Sequence, residues 1–304
     1  MLIRVPEASK LANIPETTIR DMIKNGKIKT YQTENERAEK LEKSEFLMSV
    51  PTVITMFNQK GGVGKSTLSV LLSDYFEKKN FKILLIDLDE QSNLTQTYFG
   101  YDEIQQSETL YDFFDKKSIK LNDIIKKYND NIDLIPASIK MNRLAGMDIS
   151  EANEYIDKFK TFFRNYQLVI LDCPPALNFF SRMGVVMANY CIIPLQAEPY
   201  SYDGLNEVTK TITKLRYFNQ SFIDFFAIIN NYKGVRTVLR EEMRKNFEEV
   251  LKERLFPETI PECIGYSERA IKKENVFYQP AYKEQNKKLE VIFDELCKKI
   301  YEDR

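Results

Sequence analysis

A chain of 304 residues with 43% hydrophobic content can build one large domain and a small appendage around a sizeable core. A formal net charge of −1 excludes a global basic field, so any contact with nucleic acid must come from local patches. The absence of histidine excludes Ser-His-Asp triads, histidine general bases and histidine-ligated metals, which leaves carboxylates, lysines, backbone amides or a bound ion to carry any catalysis. The four cysteines, Cys173, Cys191, Cys263 and Cys297, form no Cys-x-x-Cys pair, and no apolar run is long enough to cross a bilayer. The expected location is the cytoplasm.

The first thirty residues carry two short helical patterns, Pro6–Ala12 and Pro15–Lys24, with helix-turn-helix spacing between them. Pro15 suits a first helical position, Glu16 suits the positive end of the helix dipole, and Gly26 follows as a stop. Six basic residues face three acidic ones here. A second helix laid in a major groove would offer Thr17, Thr18 and Arg20 to DNA, with Lys27 and Lys29 on a following wing. A helical hairpin that binds a partner or a second copy is the alternative. Thr33 to Glu45 alternates Glu with Lys or Arg and reads as a solvated helix or linker. The expected division is therefore a small DNA-binding module with its linker over 1–49 and a large domain over 50–304.

From Thr52 onward, apolar runs at Val53–Phe57, Ile83–Asp87, Ile132–Ile135, Leu168–Asp172, Ile192–Leu195 and Phe225–Asn230 alternate with helix-length segments. The spacing predicts helices over Ser66–Lys79, Glu151–Arg164, Gly204–Tyr217, Thr237–Arg254 and Lys288–Tyr301. This is the pattern of an α/β fold, a mostly parallel sheet covered by helices on both faces. In the last helix Leu289, Ile292, Phe293, Leu296 and Ile300 form an apolar stripe. Such a stripe fits core packing better than a membrane-surface helix.

The sharpest signal is Lys60-Gly61-Gly62-Val63-Gly64-Lys65-Ser66-Thr67, set between a strand and a helix. Glycines allow successive N–H groups to turn toward phosphate oxygens, and the helix N-terminus adds its dipole. Lys65 would reach the β- and γ-phosphates, and Ser66 would present its hydroxyl to Mg²⁺. Two strands end in aspartates at the edge where nucleotides bind, one in Asp87-Leu88-Asp89 and the other in Asp172-Cys173-Pro174-Pro175. Either aspartate motif alone could be a turn or helix cap. An ordinary phosphate loop would carry glycine where this chain has Gln59, and has no role for Lys60.

That loop resembles the deviant Walker A family, which includes ParA, MinD and the nitrogenase iron protein. The resemblance implies that Lys60 crosses a dimer interface to the partner's phosphates, so that two subunits sandwich two ATP molecules. It also implies Asp89 as the residue that orients the attacking water, with Asp87 and Asp172 supporting Mg²⁺ through its water shell. Resemblance to ParA extends through Ile193–Tyr200 and Ile229–Tyr232, and implies that Pro194 and Glu198–Tyr200 border the site and that Asn230 contacts adenine. Departures fall at Glu90, at Glu262 and at Ser267-Glu268-Arg269-Ala270.

The ParA resemblance implies a DNA-partitioning ATPase, with plasmid DNA the expected cargo. It would bind DNA non-specifically as an ATP-bound homodimer associated with the nucleoid, and release it when hydrolysis is stimulated by a ParB-like centromere-binding partner. The first thirty residues resemble MerR-like helix-turn-helix modules, which implies repression of the protein's own operon. A MinD-like membrane-associated ATPase and an ATP-gated transcription regulator are the competing readings. Arg236, Arg240 and Arg244 recur every four residues and offer one basic face for DNA, which Arg269, Lys272 and Lys273 would extend. Interspersed glutamates equally allow an ordinary salt-bridged surface.

Overall fold

The computed structural model describes residues 1–12, 14–31, 40–100, 103–104, 107–198, 201–219, 221–230 and 238–302, without the side chains of 201, 203 and 238–240. The N-terminal segment forms β1 (Leu2–Arg4), α1 (Val5–Ala12) and α2 (Glu16–Lys24), followed by β2 (Lys40–Glu42) and α3 (Lys43–Ser49). β1 pairs antiparallel with β2, with Ile3 opposite Leu41. The two helices were legible in the sequence, and the strands that close them were not. Of the stretch Thr33–Glu45, expected as a solvated helix or linker, 33–39 lie outside the described residues and the reading is corrected at 40–42 alone. Lys40–Glu42 is a strand, and Lys43 to Glu45 open a helix capped by the Glu42 carboxylate, which accepts from the Glu45 amide at 2.8 Å.

The large unit contains β3 (Thr52–Met56), α4 (Lys65–Lys78), β4 (Ile83–Asp87), α5 (Asn93–Tyr98), α6 (Leu110–Asp115) and α7 (Leu121–Ile124). It continues through β5 (Lys126–Lys127), β6 (Ile132–Ile135), α8 (Asn153–Phe163), β7 (Leu168–Asp172), α9 (Phe179–Met187) and β8 (Tyr190–Leu195). Then follow α10 (Ser201–Leu215), β9 (Asp224–Ile229), α11 (Val238–Leu251), α12 (Ile264–Lys272) and α13 (Lys283–Tyr301).

Seven strands form one sheet in the order β5-β6-β4-β7-β3-β8-β9, all parallel except the edge pair β5 and β6. The central strands are buried along their whole length, which explains their unbroken apolar runs. Successive residues serve opposite layers. Ile54, Leu85 and Ile170 pack into one core, and Val53, Leu84 and Val169 into the other. The stripe of α13, from Leu289 to Ile300, is fully buried in the first core. Ile3, Val5, Ile19, Phe46 and Leu47 join that same core, so the N-terminal elements pack against the large unit through shared apolar contacts. Among the described residues no helix is long and apolar enough to cross a membrane.

Candidate phosphate-binding site

The sheet register brings three separate sequence motifs to one edge. β7 runs between β3 and β4, so Asp172 sits level with Met56 on one side and Asp87 on the other. The loop that leaves β3 must turn back within eight residues to start α4. Two glycines make this possible, Gly62 with φ +73° and Gly64 with φ +91°, both in the left-handed region that side chains disfavour. Space is also tight at Gly64, where a Cβ would lie 2.1 Å from Nδ2 of Asn230.

Neighbouring strands hold the loop in shape. Asn58 accepts from the Lys60 amide at 2.9 Å and donates to the Pro194 carbonyl at 2.8 Å. Asn230 donates to the Val63 carbonyl at 2.8 Å, and Gln196 donates to the Gly62 carbonyl at 3.0 Å. Asn230 thus reaches the expected site, but the contact visible here braces the loop. Gly61, Ser66 and Thr67 lie at the open side of the cradle, while Val63 is buried beneath it.

The two lysines of the loop have opposite surroundings. Lys65 is 7% exposed and donates to the Lys60 carbonyl at 3.2 Å. Burial lowers its pKa, and Asp172, Cys173 and Asp89 oppose that shift. Lys60 points outward and pairs with Glu198 at 2.7 Å, both side chains being largely exposed. Of the loop expected to border the site, Pro194 and Glu198 therefore touch it, and 199 and 200 lie outside the described residues.

The aspartates divide their tasks. Both oxygens of Asp87 are engaged, Oδ1 by the Asp89 amide at 3.1 Å and Oδ2 by the amide and hydroxyl of Thr95 at 2.8 and 2.7 Å. Asp87 thereby anchors the turn that carries Asp89 to α5. Oδ1, with a single donor, keeps the capacity to accept from a metal-bound water, so this bracing role stands beside the expected support of Mg²⁺ through its water shell. Asp89 is nearly buried and accepts from the Gln91 amide at 3.0 Å. Asp172 accepts from Ser69 at 3.2 Å through Oδ1, whereas its buried Oδ2 has no hydrogen-bond partner. Burial pushes Asp172 up to about 7, with nearby Asp89 raising it further and Ser66, Lys65 and Ser69 pulling it down. Burial and then Asp172 likewise hold Asp87 well above the usual carboxylate range.

An unpartnered carboxylate oxygen deep in the site is costly unless a cation or donor reaches it. Among the described residues no group of three or more acidic or cysteine side chains could cage a metal by itself. The donor set therefore fits a hard cation that keeps water and phosphate ligands, as Mg²⁺ does, with Asp172 and Ser66 on the protein side. Ser69 and Asn58 are the members that sequence reasoning missed. Ser69 lies one helical turn after Lys65, and Asn58 lies just past the strand end, yet neither belongs to a motif.

The DNA contacts were expected in two places, on the N-terminal helices and around Arg236–Lys273. Thr17 and Arg20 lie on α2, where Arg20 pairs with Glu16 at 3.3 Å, and Thr18 and Lys27 line a cavity against the large unit. Arg236 and the side chain of Arg240 lie outside the described residues. Arg244 is engaged by Glu248 at 2.8 Å and the Pro257 carbonyl at 2.9 Å, and Lys272 pairs with Glu268 at 2.6 Å. Arg269 is corrected outright. It is 1% exposed and bonded to Asp74 of α4 at 3.0 to 3.3 Å, so it belongs to the core and not to a basic face.

A family model described as an AAA domain matches residues 51–224, more than half of the chain. The sporulation initiation inhibitor protein Soj of Bacillus subtilis is 27% identical over 223 residues, which cover 71% of this chain and 86% of Soj. The chromosome partitioning protein ParA of Caulobacter vibrioides is 27% identical over 221 residues, covering 71% of this chain and 82% of ParA. A plasmid partition protein of Borrelia burgdorferi, solved with AMPPNP, superposes with a TM-score of 0.65 at 26% identity and covers 81% of this chain and 99% of its own. With the glycine loop, the two aspartate strand ends and the sheet order that unites them, this chain belongs to the AAA domain family and is a P-loop ATPase of the ParA/MinD type.

Proposed function

We propose that the protein is a DNA-partitioning ATPase that works as an ATP-gated dimeric switch. The observation that carries this reading is the contrast between the loop lysines. Lys65 is buried beside Asp172 and Asp89 to serve the subunit's own nucleotide, and Lys60 is directed outward, where a second subunit's phosphates would meet it. In this reading the backbone of 60–67 cradles the β- and γ-phosphates, and Lys60 acts across the interface as an arginine finger would. Mg²⁺, held through Ser66 and Asp172, would neutralise charge on the phosphate oxygens. Asp89, fixed by the Asp87 turn, orients the attacking water.

Without histidine, water activation rests on one carboxylate, so intrinsic hydrolysis is slow and a ParB-like partner bound to cargo DNA accelerates it. ATP-driven closure joins two copies of any basic surface and raises affinity for DNA phosphates; hydrolysis halves those contacts and releases the DNA. Residues 1–30 would add operator binding and autorepression. The names of the Caulobacter ParA and the Borrelia protein support partitioning over the membrane and regulator readings. In an ATPase assay, Lys65→Ala should abolish turnover, and Asp89→Ala should retain nucleotide binding with little hydrolysis. Wild-type turnover by Asp89→Ala would overturn its role.

A further inference from the structure

A cavity of about 240 Å³ lies where the N-terminal helices meet the large unit, far from the phosphate loop. Its apolar wall comes from Ala12, Ile14 and Met22 on one side and Val50, Phe163 and Met187 on the other. Three cationic side chains, Lys27, Lys160 and Arg164, share the lining with the polar Thr18, Ser49, Asn189 and Ser221, and it contains no acidic residue. None of the three has a hydrogen bond or ion pair from its side chain among the described residues. Asp157, one turn before Lys160 on α8, acts on its ammonium only at longer range.

Lys160 is the informative member. It is partly buried in the cavity wall, and burial lowers its pKa, with Asp157 opposing. A desolvated ammonium with no partner is unfavourable for folding, so its position calls for a counter-ion. The apolar side chains interleaved with these cations favour a ligand with an apolar part over a hydrated inorganic ion. At about 240 Å³ the cavity has room for one small organic molecule.

We infer that this cavity binds a small amphiphilic acid, whose carboxylate or phosphate head sits among Lys160, Lys27 and Arg164 and whose short apolar body lies against Ile14, Met22 and Phe163. The ligand touches both the N-terminal helices and the large unit, so occupancy fixes one against the other. Thr18 and Lys27 line the same cavity, so an occupied cavity withdraws them from DNA and makes the ligand a regulator of the N-terminal helices.

The test is calorimetric titration of the full chain with sodium octanoate, with hexyl phosphate and with octan-1-ol, each below micelle-forming concentration. At least one anion should bind with a sub-millimolar Kd, and the alcohol at least about tenfold more weakly. The tighter of the two anions identifies the headgroup. Lys160→Met keeps the apolar stem, so it should weaken anion binding about tenfold while leaving Tm unchanged or raised. Binding of neither anion, equal binding of the alcohol, or full anion affinity in a folded Lys160→Met protein would overturn the proposal.

Discussion

Arg269→Met tests whether α12 is fastened to the phosphate-loop helix through a buried ion pair. Arg269 and Asp74 are 1% and 0% exposed, and the guanidinium makes three contacts to the carboxylate between 3.0 and 3.3 Å. The rings of Tyr98 and Tyr128 lie 4.9 and 5.8 Å from the guanidinium carbon and shield it further. Removing one partner of such a pair costs about 3–5 kcal/mol, because the other charge is left buried. Burial already pushes Asp74 up to about 6 against the pull of Arg269, so it can take up a proton, and it keeps the Val276 amide at 3.0 Å. That relief places the expected loss at the lower end, about 3 kcal/mol. At about 2–4 °C per kcal/mol, the Tm should fall by roughly 6–12 °C in differential scanning calorimetry. Adding Asp74→Leu removes both charges and should recover most of the loss. A fall below about 2 °C in the single variant, or a double variant no more stable than the single, would refute this account.

Gly64→Ala places a Cβ 2.1 Å from Asn230 Nδ2 at φ +91°. Backbone strain of about 1–3 kcal/mol and a displaced Asn230 bond should weaken ATP binding at least about tenfold by calorimetry, a loss of about 1.4 kcal/mol. Leu296→Ala, at a fully buried site on α13, should lower stability by about 2–5 kcal/mol in urea melts, and neither it nor the wild type should co-sediment with anionic vesicles. Glu42 is held down to about 2 by hydrogen bonds from Ser44, the Glu45 amide and the N-terminal ammonium, against an ordinary value of 4.5. Its ionised form therefore stabilises the β1–β2–α3 junction above pH 4.5, and that support is lost as the pH falls from 4.5 to about 2. Glu42→Gln should abolish this pH dependence of hydrogen-exchange protection at the Glu45 amide.

The parallel sheet was legible because strands covered on both faces must be apolar throughout, and Ile83–Asp87, Ile132–Ile135 and Leu168–Asp172 appear as the sequence spacing predicts. α9, Phe179–Met187, was not, since a helix buried on nearly every side has no polar face to reveal its period. β1 and β2 escaped notice because three-residue strands that pair across some thirty-five intervening residues leave no local pattern. In the candidate site, the loop glycines and the aspartate strand ends carry their chemistry in their spacing. The hydroxyl of Ser69, the capping role of Asp87 and the burial of Arg269 depend on tertiary contacts. Charge spacing alone put Arg269 on a DNA-binding face, and only packing shows that its charge is answered by Asp74.

The measurement closest to the central claim is binding of a random DNA duplex by fluorescence anisotropy, with ATP–Mg²⁺ and with ADP–Mg²⁺, across a salt series. An ATP-gated switch should bind tightly with ATP alone, weakening steeply as salt rises because phosphate contacts dominate. Equal affinity in the two nucleotide states, or no binding in either, would contradict it.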